Sequence, residues 1–154
     1  MRWHYRDPLL VWLMPSSYAL QILEEWVGGF PEWIAMVAGA SLPRSAFVVI
    51  NAVAIALMIA AARAATQRES NGWMAVAIAT ILFVNALAHA AGSLVTGVYS
   101  PGLFTGVVLY LPLSQLVLLR AWRQADRDVL RRGLVAGIAL HTLVFGVALA
   151  IART

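Results

Sequence analysis

Three stretches of this chain, 45–62, 70–119 and 133–152, contain no Asp, Glu, Lys or Arg. Each matches or exceeds the roughly 18–20 apolar residues that cross a bilayer core as a helix. A domain folded in water must cover its surface with charge, and only 12% of these 154 residues are charged against 62% hydrophobic. A soluble enzyme, a nucleic-acid-binding domain and a disordered tail are excluded on that ground. The apolar runs are continuous and rich in Ala and Leu, so they predict helices and not the alternating strands of a membrane β-barrel.

The breaks between runs give an all-α, polytopic membrane helix bundle, with the whole of 1–154 forming one integral membrane domain. About five transmembrane helices are expected, over 8–27, 44–65, 72–96, 101–120 and 129–152. The apolar segment 31–42 is too short to cross and reads as an interfacial or re-entrant piece. Asp7 is placed to cap the first helix, with Pro8 at the first helical position, where a missing N–H costs nothing. That first span is unusual. Pro15, Ser16 and Ser17 interrupt it, and Gln21, Glu24 and Glu25 follow the interruption. Ser17-Tyr18-Ala19 resembles a signal-peptide cleavage site, but the apolar stretch 9–14 before it is too short and Asp7 sits where positive charge is wanted.

All 11 basic residues are arginine, and sorting them by loop orients the bundle. Five spans gather Arg2, Arg6, Arg63, Arg68, Arg120, Arg123, Arg127, Arg131 and Arg132 on one side, leaving only Arg44 and Arg153 on the other. By the positive-inside rule the N-terminus is cytoplasmic and the C-terminus external, as in a bacterial inner-membrane protein. Trp3, Trp73 and Trp122 then mark the inner interface, and Trp26 and Trp33 the outer one. The stretch Arg120–Arg132 becomes a solvated hairpin end in contact with anionic lipid.

This topology turns scattered polar residues into a layer. Gln21, Asn85 and His141 each lie about a dozen residues from the cytoplasmic end of a span, just past the middle of a ~30 Å core. Glu24, Glu25 and His89 lie one turn further out, and Asn51 and Thr105 reach a similar level. Gln21, Glu24 and Glu25 share a helix face, while Asn85, His89 and Ser93 form a stripe at intervals of four. A charged side chain near the bilayer centre costs on the order of 2.5–3.5 kcal/mol, so the two glutamates must be protonated, paired, metal-bound or hydrated. No Lys or Arg lies in the layer to pair with them. Glu24, Glu25 and His89 are therefore the candidate catalytic residues, with Gln21, Asn51, Asn85, Tyr99 and His141 binding or orienting a substrate. With no cysteine present, a divalent metal such as zinc would need Glu24, Glu25, His89 and His141 as ligands. Gly102-x-x-x-Gly106 and Gly133-x-x-x-Gly137 suit close helix packing.

At these residues the chain resembles the HXXEE family of integral membrane proteins of unknown function. The family motif is a His, two variable residues and two glutamates on the first helix, followed by an aromatic-rich turn. Here it reads Gln21-Ile22-Leu23-Glu24-Glu25-Trp26, then Phe30-Pro31-Glu32-Trp33. The later family pattern, an Asn with a His four residues on and then Tyr-x-Pro-Gly, matches Asn85, His89, Tyr99, Pro101 and Gly102. The resemblance covers about residues 15–112 and implies a shared architecture and a shared polar site without supplying a reaction. It departs from the motif at Gln21, which cannot titrate and is a poor metal ligand.

Three functions compete on these features. The first is an enzyme acting on a lipophilic substrate inside the membrane, by general acid–base or metal-assisted chemistry. The second is a small proton-coupled transporter working as a homo-oligomer. The third is a structural or lipid-binding subunit whose polar layer only fixes helix packing. Membrane lipids and a lipophilic small molecule are the expected partners, and nucleic acid is not.

Overall fold

In the computed structural model, residues 7–153 are described. They are helical with short connections: α1 (Pro8–Val27), α2 (Phe30–Ala38), α3 (Arg44–Gln67), α4 (Gly72–Thr96), α5 (Leu103–Gln124) and α6 (Arg127–Ala152). A 3-10 turn over Glu69–Asn71 leads into α4. Arg2, Trp3 and Arg6, which entered the topology and interface assignments, lie outside the described residues.

Local chemistry sets the boundaries. The Leu10 amide donates to Asp7 Oδ1 at 3.4 Å, and Pro8 opens α1. Pro15 and the serines after it do not break the helix: Ser16 and Ser17 return their hydroxyls to the carbonyls of Trp12 and Met14. Glycines in the left-handed conformation, Gly29 (φ 73°) and Gly39 (φ 60°), bracket α2. This helix is shorter than the apolar run that suggested it, because the chain from Ala40 to Pro43 leaves the helical path. In α5, Leu103–Thr105 is α-helical, Gly106–Tyr110 is a π turn, and Leu111 donates its N–H five residues back to Gly106 O. Pro112 follows directly; it has no N–H to continue the regular ladder, which favours the wider turn.

α4 is the centre of the bundle. Its Ala75, Val76, Ala79, Leu82 and Ala86 are fully buried, in one core with Val11 and Met14 of α1, Ala62 of α3, and Tyr110 and Val117 of α5. Between apolar helices in lipid there is little hydrophobic drive, so close backbone approach at small residues carries the packing. A Cβ on Gly133 would stand 2.4 Å from Val76 Cβ, and one on Gly137 would stand 2.6 Å from Thr80 Cβ. These glycines seat α6 against α4. A second, smaller cluster joins Ile34, Leu42, Phe47 and Ala152 where α2, α3 and the end of α6 meet.

Four helical segments are long and apolar enough to cross a membrane: Arg44–Gln67, Glu69–Thr96, Leu103–Gln124 and Arg127–Ala152. The count of five is not reached, because α1 spends six of its 20 residues on Pro15, Ser16, Ser17, Gln21, Glu24 and Glu25. Its polar residues are turned inward all the same. Ser17, Gln21 and Glu25 are buried, whereas Leu9, Leu13, Leu20, Leu23 and Val27 are exposed.

Candidate functional site

The polar residues of α1 and α4 meet the loop and first turn that begin α5. A helix start leaves amide N–H groups without intrahelical acceptors. In α5 these are met by a carboxylate from another helix. Glu24 Oε1 accepts from the amides of Gly102 (2.9 Å) and Phe104 (3.1 Å), and Glu24 Oε2 accepts from the amide of Thr105 (2.8 Å). The Tyr99 hydroxyl donates to the same Oε1. Negative charge at a helix N-terminus is favoured by the dipole as well as by these bonds. Glu24 is thus a tertiary cap, partly exposed, with both oxygens engaged.

Glu25, the next residue, lies in a different environment. It is 6% exposed, and its Oε1 stands 3.1 Å from His89 Nε2, with His89 itself 5% exposed. The other ring nitrogen, Nδ1, is 2.9 Å from Ser100 Oγ. The sequence treats Glu24 and Glu25 as one buried pair; in the structure only Glu25 is enclosed, because the helix turn between them points Glu24 at α5 and Glu25 at α4.

Gln21 joins the two halves. Its Nε2 donates to Glu25 Oε1 (3.1 Å) and to Asn85 Oδ1 (2.5 Å), and its Oε1 accepts from Thr105 Oγ1 (3.2 Å). A single amide uses two donors and an acceptor to tie α1, α4 and α5 together. Gly102 completes the fit at φ +101°, where a Cβ would stand 2.7 Å from His89 Cε1. The Phe30 ring covers the imidazole, with centroids 5.6 Å apart.

Ser100, His89 and Glu25 stand in line as a hydroxyl, an imidazole and a carboxylate, but the donors that acyl transfer requires are taken. The amides of Gly102, Phe104 and Thr105 serve Glu24, the Ser100 amide donates to Ser93 Oγ, the Leu103 amide donates to Ser100 O, and Pro101 has none. With no free oxyanion donor beside it, Ser100 serves to hold the imidazole, not to attack a carbonyl.

The remaining candidates divide. Asn85 is within the cluster through Gln21, and Tyr99 through Glu24. Asn51 is not; its Oδ1 accepts from Tyr18 at 2.6 Å, and its amide donates to Phe47 O. His141 is half-buried on α6 and makes no hydrogen bond to the cluster. The four-residue metal set is therefore corrected: among the described residues no three His, Asp or Glu side chains converge to hold a metal ion. Glu24 has spent its oxygens on backbone amides, which leaves Glu25 and His89 as a pair.

Ser100 and Gly102 carry no periodic signal, since they lie in a loop; only their place beside Tyr99 in Tyr-x-Pro-Gly marks them. Two buried side-chain polar atoms among the described residues have no partner, Trp33 Nε1 and the Tyr110 hydroxyl. Leaving such a group unpaired costs on the order of 1–3 kcal/mol.

An all-helical bundle with four helices long and apolar enough to cross a membrane, and an enclosed Glu–His–Gln–Asn cluster, defines the class of protein. The family described as "Protein of unknown function with HXXEE motif" matches residues 12–117, most of the chain and every residue of that cluster, and the chain belongs to it. Gln21 stands at the position of the motif histidine and His141 lies beyond the matched region. No curated protein and no solved structure matches the chain.

Proposed function

We propose that this protein is an intramembrane acid–base enzyme acting on a lipophilic alkene or epoxide, with Glu25 and His89 as the proton-exchanging groups. The observation that carries this reading is the enclosed Glu25–His89 contact, 3.1 Å long, with the imidazole fixed on its far side by Ser100. A carboxylate and an imidazole within hydrogen-bond reach can share one proton, and the pair is neutral overall while it holds that proton, which suits a low dielectric. In an alkene isomerisation a proton added at one carbon is balanced by a proton removed at another, so such a pair is restored after each turnover. Glu24 supplies no proton in this scheme, because ionised oxygens already serve the start of α5.

The membrane placement belongs to the same reading. α1 is taken as a fifth crossing, supported by its inward polar and outward apolar faces, and α2 as an interfacial helix. With nine of the 11 arginines on one side, the N-terminus is cytoplasmic and the C-terminus external, the arrangement of a bacterial inner-membrane protein. The polar cluster then lies in the outer half of the bilayer, within reach of lipid-dissolved molecules.

The test uses protein in lipid nanodiscs, incubated in D₂O with a total lipid extract from the cells that express it. Deuterium should enter carbon positions of a discrete lipid species with the wild type and fail to do so with His89→Gln or Glu25→Gln. Lipid mass spectra indistinguishable from the protein-free control would overturn the reading.

A further inference from the structure

The short helix α2 roofs the enclosed pair and is held there by little. The Phe30 ring lies on the His89 imidazole, with centroids 5.6 Å apart, and stacks with Trp33 at 5.9 Å. Trp33 fits where α4 has no side chain: a Cβ on Gly92 would stand 2.8 Å from Trp33 Cη2. Only Pro31 and Ile34 of the nine residues of α2 are buried, and Met36 is 60% exposed. Among the described residues, the one side-chain polar tie of α2 is the Glu32–Arg44 pair, itself exposed. Exposed pairs of this kind contribute little, and a segment with few buried apolar groups opens at low cost.

The ends of α2 suit a rigid-body swing. Gly29 and Gly39 are both left-handed, and nothing lies within 4 Å of a Cβ on Gly39, so backbone freedom and not packing accounts for that glycine. The chain on either side is fixed. A Cβ on Gly28 would stand 2.8 Å from Pro101 Cβ, and Ala40 and Leu42 are buried. The seated position also carries a penalty, since the Trp33 indole N–H is buried without a partner. Lifting α2 returns that N–H to water or to a lipid carbonyl.

We propose that α2 is a hinged lid, latched by Glu32 and Arg44, that swings about Gly29 and Gly39 to uncover the Glu25–His89 pair to a lipid-dissolved molecule. That the lid admits a substrate rests on the acid–base reading; that it moves does not.

The chain has no cysteine, so single thiols report the motion in full-length protein in nanodiscs. Ile34→Cys, on the covered side of α2, should react with N-ethylmaleimide far faster than Val117→Cys, which lies in the core around α4. Adding Glu32→Gln should raise the Ile34→Cys rate about two- to fivefold, through the loss of an exposed ion pair. Adding Gly92→Ala should raise it roughly tenfold by displacing the Trp33 ring, with Val117→Cys still protected in the same background. Equal rates for Ile34→Cys and Val117→Cys, or an Ile34→Cys rate that neither second substitution changes, would overturn the lid. Joining Glu32→Cys to Arg44→Cys with a short reducible bis-thiosulfonate should stop deuterium incorporation until a reductant restores it. Undiminished incorporation in fully joined protein would overturn the lid's role in admission. A wild type that incorporates no deuterium sinks the acid–base reading, and the maleimide rates still decide the lid.

Discussion

Glu24 on α1 and Thr105 on α5, 81 residues apart in sequence, meet where the Thr105 amide donates 2.8 Å to Glu24 Oε2. One helix thereby caps another, and the loop that carries Ser100 and Gly102 is clamped against the imidazole of His89. The adjacent glutamate, Glu25, is left to face His89 and Gln21. Two neighbouring carboxylates thus take different partners, one a set of backbone amides and the other an imidazole.

Replacing Glu24 by Ala removes the acceptor for three amides and the Tyr99 hydroxyl. Loss of a helix cap costs about 1–2 kcal/mol, and the effect is expected as a lowered melting temperature in detergent with faster amide exchange at Gly102, Phe104 and Thr105. Glu24→Gln should fall between the two, because an amide offers one acceptor oxygen where the carboxylate offers two. Unchanged exchange at those three amides would show that the cap does not form.

Gln21 makes three bonds that a histidine cannot make together, since a neutral imidazole has one donor and one acceptor. Gln21→His, which restores the family's motif residue, should lose one of the bonds to Glu25, Asn85 or Thr105 and cost about 1 kcal/mol. Gln21→Leu should cost more, because it strands Thr105 and Asn85 without their partner. Chemical unfolding of the three proteins side by side would rank them.

Gly102 cannot gain a side chain without moving the imidazole. With φ at +101° and a Cβ 2.7 Å from His89 Cε1, Gly102→Ala meets both strain and collision. A loss on the order of 2–3 kcal/mol is expected, with displaced His89 ring-nitrogen resonances. A variant with wild-type stability and an unmoved His89 spectrum would contradict the packing described.

At the first residue of α3, Arg44 donates to Glu32 of α2, which lies outside the spanning segments, and holds that carboxyl below its ordinary pKa. The sign follows from linkage: a depressed carboxyl contributes its stability above the unfolded pKa and loses it as pH falls through the folded value. The pair's contribution to the melting temperature should therefore stay constant through the neutral range and be lost in the acid range. Glu32→Gln should flatten that acid limb while leaving the neutral value nearly unchanged, as a solvent-exposed pair implies.

Uninterrupted apolar runs, glycine and proline punctuation, and the spacing of Gln21, Glu24, Glu25, Asn85 and His89 made the helices, their approximate ends and most of the polar cluster legible in the sequence. These are properties of one helix at a time, fixed by period and by local backbone freedom. The sequence also overestimated the apolarity of α1, grouped His141 and Asn51 with the cluster, and treated Glu24 and Glu25 as equivalents. Only the tertiary structure separated them, because neighbouring residues on a helix point about 100° apart and what each one meets depends on which helix has packed there. The start of α5 met Glu24 with free amides, and α4 met Glu25 with an imidazole.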